Sequence, residues 1–208
     1  MRKKLFFSVL ASIALTFSFL SCSNDESTQS SQDQQNQTSA FSVGNETGDL
    51  LIGKVINGTD AEFTIDVREF ETEFLKHGIF AEIESVEIGD EYLTIIGKDI
   101  NDYSLLAFQA ELIRDASDNL YYPDVESASN TTFATHKCDG VNCTGCEYKR
   151  KDDKKRGKII GCNCSGGAGS SGSDSYCNHS TSKGDTVDDA KKIADLVATV
   201  IKVITAFL

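Results

Sequence analysis

The stretch from Glu82 to Asp99, EIESVEIGDEYLTIIGKD, decides the fold. Acidic and apolar residues interleave from Glu82 to Ile88. Gly89-Asp90 can turn the chain, and Tyr92 to Gly97 is rich in aromatic and β-branched residues. Two such runs around a Gly/Asp turn predict an antiparallel hairpin. The pattern continues outward. Asp99-Ile100-Asn101-Asp102 turns into a run from Tyr103 to Ile113, and Ser117-Asp118-Asn119 turns into Leu120 to Tyr122. Leu50 to Ile56 offers a further strand before this region, and Thr131 to His136 another after it.

A helix is expected between the first strand and the hairpin. Thr59-Asp60-Ala61-Glu62 has the form of a capping box, in which the Thr hydroxyl and the Glu carboxylate satisfy free amides. Phe63, Val67, Phe70 and Phe74 follow at helical spacing, Lys76 and His77 suit the negative end of the helix dipole, and Gly78 supplies a stop. The stripe reads as the face of an amphipathic helix that covers a sheet. The expected class is therefore α+β: one N-terminal amphipathic helix on an antiparallel β-meander. Its element order is similar to a cystatin-like arrangement, without a matching inhibitory loop sequence.

Beyond His136 the composition changes. Residues 41–137 hold 20 Asp or Glu against 6 Lys or Arg, whereas residues 138–184 hold 5 against 8. This second segment contains Cys138, Cys143, Cys146, Cys162, Cys164 and Cys177, while residues 23–137 contain no cysteine. Glu147-Tyr148 and Lys158-Ile159-Ile160 flank Lys149, Arg150, Lys151, Lys154, Lys155 and Arg156, which reads as a hairpin with a basic tip open to an acidic glycan, lipopolysaccharide or a protein partner. Ser165 to Gly184 reads as a Ser/Gly-rich loop stapled by Cys177. A final helix is expected over 185–208, with Ile193, Val197, Val200, Ile201, Ile204 and Leu208 on one face. Its apolar part spans only about 20 Å, too short for a ~30 Å bilayer core, so docking on the domain is expected.

Six clustered cysteines admit several chemistries. Cys138-x4-Cys143-x2-Cys146 with a distant Cys177 echoes a [2Fe–2S] ferredoxin spacing, but the extra cysteines and the Gly/Ser loop do not belong to that pattern. His136, Cys138, Cys143 and Cys146 could offer zinc one nitrogen and three sulfurs, with Cys162 and Cys164 in reserve. Cys143-Thr144-Gly145-Cys146 could act as a redox dithiol, but no helix signal follows it. Three structural disulfides are the expectation, with 15 possible connectivities and at least one bridge joining the basic hairpin to the loop before it. No cofactor or metal is assigned. His77, His136 and His179 sit in no recognisable catalytic setting, and no phosphate-binding loop is present.

The start of the chain points to a compartment. Arg2, Lys3 and Lys4 precede an apolar run from Leu5 to Leu20, and Ser21 stands directly before Cys22. This resembles the signal peptide and lipobox of bacterial lipoproteins. The resemblance implies cleavage before Cys22, acylation of its thiol, and membrane anchorage through lipid. Ser23-Asn24-Asp25-Glu26 is similar to the surface-export tract that some Gram-negative lipoproteins carry. Loss of the three basic leader residues would take the formal charge from −12 to −15, which disfavours nucleic acid as a partner.

The expected organisation is a signal peptide over 1–21, then a lipidated cysteine and tether over 22–40. An acidic domain follows over 41–137, a cysteine-rich segment over 138–184 and a helix over 185–208. The expected function is a non-enzymatic binding or interaction lipoprotein of the outer membrane, facing the cell surface. The alternative is an exported redox or metal-handling protein that uses Cys143 and Cys146.

Overall fold

Gly58-Thr59 turns the first strand back on itself. In the computed structural model, which describes residues 48–129, 132–151, 155–165, 175–183 and 188–206, β1 (Leu50–Asn57) pairs antiparallel with β2 (Asp60–Phe63). Gly58 takes the left-handed φ of +66° that this turn requires. The helix expected from Thr59 does not start there. Asp60 to Phe63 alternates exposed Asp60 and Glu62 with buried Ala61 and half-buried Phe63, a period of two that suits a strand beside the tight turn. Helix α1 runs from Val67 to Leu75 instead, capped by Asp66, whose Oδ1 accepts from the amides of Arg68 (2.9 Å) and Glu69 (3.1 Å). Its buried face is Phe70 and Phe74, with ring centroids 5.5 Å apart. Gly78, at φ +68°, follows the helix end.

The quoted stretch forms β3 (Phe80–Ile88) and β4 (Tyr92–Asp99), and β5 (Leu105–Glu111) continues the antiparallel series. The next two strands, β6 (Ile113–Arg114) and β7 (Asn119–Tyr122), leave it. They join β1 and β2 in a separate sheet of order β2-β1-β7-β6. A single continuous meander is therefore replaced by two sheets, because β7 pairs with β1 rather than with β5.

The second sheet takes β8 (Phe133–Val141) beside β5, giving the order β11-β8-β5-β4-β3. Between β8 and β11 the chain forms the hairpin β9 (Gly145–Arg150) and β10 (Ile159–Ser165). The loop expected from Ser165 to Gly184 is in part a strand: β11 (Tyr176–Lys183) pairs with β8 along its whole length. It is an edge strand of polar residues, so its backbone pairing leaves no apolar alternation to read.

Helix α2 (Asp188–Thr205) closes the core. It buries Ile193, Ala194, Val197, Val200, Ile201 and Ile204 in one cluster with Ile52, Phe70, Phe74, Phe108, Leu120 and Tyr122, and Ala190 is fully buried as well. Each fully buried Val or Ile contributes about 1.5–3 kcal/mol. The Tyr122 hydroxyl donates to the Ala194 carbonyl at 3.0 Å, so this phenol is satisfied inside an apolar core. Asp185, Thr186 and Leu208, expected at the ends of this helix, lie outside the described residues.

Strand β5 places the rest of the molecule. All six residues from Leu105 to Ala110 are buried, because the sheet is covered on both faces. Leu106, Phe108 and Ala110 belong to the core cluster. By alternation, Leu105, Ala107 and Gln109 point to the other face, where the β9–β10 hairpin lies.

Candidate functional site: the disulfide-linked hairpin lobe

The outer face of the five-stranded sheet carries the chemistry. His136, Cys138 and Gly140 on β8 alternate onto the same face, opposite Thr181, His179 and Cys177 of β11. Over them lies the hairpin, with Cys164 directly opposite Cys146 and Cys162 opposite Tyr148.

Buried polar contacts hold this layer down. The Gln109 side-chain amide donates to Thr94 Oγ1 at 3.0 Å and to the Gly157 carbonyl at 3.3 Å, and its Oε1 accepts from the Ile159 amide at 3.1 Å. Tyr148 Oη lies 2.9 Å from the Leu105 carbonyl and 2.7 Å from that of His136. Burial pushes its pKa well up, so it remains a neutral donor. The rings of His136 and His179 stack 5.3 Å apart, with Nδ1 of the first 3.1 Å from Nε2 of the second. Desolvation lowers the pKa of His179.

Three disulfides complete the lobe. Cys138 on β8 bonds Cys162 on β10. Cys143 in the β8–β9 loop bonds Cys164 on β10, and Cys146 on β9 bonds Cys177 on β11. The expected bridge between the hairpin and the loop before it is present as Cys143–Cys164. Cys143 and Cys146, considered together as a dithiol, are each bonded to a different strand. Cys138 is 2% exposed, whereas the other five cysteines are half-buried.

The basic residues divide into two groups. Arg150 is largely buried, and its Nη2 pairs with Glu87 at 2.7 Å while Nη1 donates to the Gly157 carbonyl. Arg156 reaches back to the carbonyls of Ala61 (3.2 Å) and Ile88 (3.1 Å). Both arginines fasten the hairpin to the body. Lys149, Lys151 and Lys155 are exposed, while Lys154 and Cys22 lie outside the described residues.

Across the same sheet, by the start of α2, an open groove of about 430 Å³ is bordered by Asp99, Asn101, Lys137, Ser180, Ser182 and Lys192. Lys137 pairs with Asp102 at 2.6 Å and with Asp99 at 3.4 Å. Its hydrogen bond, with those from Ser104, brings the Asp102 carboxyl down to about 2. Sequence reading missed this groove, because its residues come from at least five separated segments. Among the described residues no helix is long and apolar enough to cross a membrane.

No protein-family model, curated protein or solved structure matches the chain.

Proposed function

We infer that the chain is a lipid-anchored cell-envelope protein that acts by binding, not by catalysis. The observation that carries this reading is the leader: Arg2-Lys3-Lys4, the apolar run Leu5–Leu20, and Ser21 before Cys22. Three Cys–Cys pairs at bonding distance support it, since disulfides persist in oxidising compartments outside the cytosol. A single acyl chain holds a protein only marginally and two or more hold it stably, so multiple acylation at Cys22 would suffice as the anchor. The acidic tract after Cys22 favours the outer membrane and its outward face.

Two features suit a binding role. The groove beside Lys137 has the size of a small-ligand site. The exposed Lys149, Lys151 and Lys155 offer cations to lipopolysaccharide phosphates, an acidic glycan or an acidic protein surface.

Cys22→Ser tests the anchor. The variant should lose membrane fractionation and the mass of the attached lipid. Wild-type fractionation of the variant, with the leader removed at the same bond, would place the anchor elsewhere.

A further inference from the structure

We propose that Cys143, Cys146, Cys164 and Cys177, once reduced, form a four-thiolate site for a soft divalent cation of the zinc class. Cys177 Sγ, bonded to Cys146, also lies 3.7 Å from Cys143 Sγ and 3.8 Å from Cys164 Sγ. The sulfurs of Cys143, Cys146 and Cys177 all fall within 4.8 Å of one another. Zinc–sulfur bonds of ~2.3 Å in a tetrahedron separate the ligand sulfurs by about 3.8 Å. The two cross-distances from Cys177 therefore already match a tetrahedral cage, and completing it requires the two bonded pairs to open and Cys146 and Cys164 to settle at the same spacing.

The backbone supports the same conclusion. Cys146 and Cys164 face each other across β9 and β10, Cys177 is opposite Gly140 on the edge strand, and Cys143 comes from the connecting loop. A Cβ at Gly140 would come within 3.2 Å of Cys146 Sγ and 3.3 Å of Cys143 Cβ, so the bare backbone there makes room for the sulfurs. The ligand set differs from the one the sequence suggests around His136 and Cys138. His136 is stacked on His179, and Cys138 is bonded to Cys162 on the buried side of the lobe.

Each bridge needs two electrons and two protons from a dithiol reductant, which leaves as a disulfide. The four thiols then release four protons as one divalent cation binds. Cys143 Sγ lies 3.3 Å from the Tyr176 carbonyl and 3.6 Å from that of Val141. These oxygens disfavour bare thiolates, so the cation's charge is needed to hold the deprotonated set. The inference goes beyond the envelope reading and does not depend on lipidation at Cys22.

The test uses the full chain in detergent micelles, reduced with a phosphine and titrated anaerobically with Co2+, then Zn2+. One Co2+ should bind per chain with thiolate-to-cobalt absorption, and Zn2+ should displace it. In the zinc-loaded chain Cys143, Cys146, Cys164 and Cys177 should resist iodoacetamide, while Cys138 and Cys162 are alkylated or still bonded to each other. Cys164→Ser and Cys177→Ser should each weaken zinc binding at least about tenfold. Substoichiometric metal would overturn the proposal. So would protection spread evenly over all six cysteines, or a loss of affinity in the Cys138→Ser/Cys162→Ser double variant equal to that in Cys164→Ser. Because the footprint is read residue by residue, it separates an ordered site from loose capture by an unfolded chain.

Discussion

Gln109 is a polar side chain only 4% exposed, and its place explains it: it bonds Thr94 on its own sheet and Gly157 and Ile159 of the hairpin. Gln109→Leu keeps much of the volume but strands the buried Ile159 amide. The expected loss is about 1–3 kcal/mol in denaturant unfolding, with faster hydrogen exchange at Ile159. A variant as stable as wild type would mean that the hairpin is held without this residue. Asp102 makes a pH argument. Its folded pKa of about 2 lies below the ordinary 3.8, so its contribution is complete above the ordinary value and disappears as pH falls through the folded one. The stability gap between wild type and Asp102→Asn should be constant from neutral pH to about pH 4 and close between there and about pH 2. The gap is expected to be small, because the carboxylate is exposed to water and screened by it. A gap that stayed open at the acid end would remove the Lys137 contact as its cause.

At the scale of elements, two helix-start signals lie seven residues apart, and only one is used. Thr59-x-x-Glu62 and Asp66-x-x-Glu69 both have the form of a cap, and the Gly58-Thr59 turn claims the first for a hairpin. Asp66→Ala should therefore cost about 1 kcal/mol of stability, and Thr59→Ala much less. Equal costs in thermal melts would mean that the helix begins earlier than α1 does. The hairpin turns on Gly58-Thr59, and the capping pattern that begins at the same Thr59 conceals it. Strand β3 was legible because it alternates, β4 because it is densely β-branched, and β5 as a short apolar run that follows a turn. Strand β11 was not, since an edge strand of Asn, His, Ser and Thr carries no apolar period.

For the whole molecule, α2 is the piece that joins distant parts. It touches α1, β1, β5 and β8, and seven of its side chains enter the core cluster or lie fully buried beside it. A chain ending at Gly184 should lose cooperative unfolding or melt far below the full chain, because ablating this face exposes Ile52, Phe70 and Leu120 to water. A truncated chain that melts at the same temperature would mean that α2 rests on the core without stabilising it.

Local patterns carried the α+β class, the β3–β4–β5 series, the amphipathic C-terminal helix and the number of paired cysteines. Each depends on a period of two or 3.6, a turn residue, or a count, all of which are properties of neighbouring residues. The pairing of β7 with β1, the cover over Gln109 and the choice of one connectivity among 15 depend on contacts between residues 15 to 72 positions apart. No local signal encodes them. They follow from burying both faces of β5 at once, which can be satisfied only when α2 lies on one side and the cross-linked hairpin on the other.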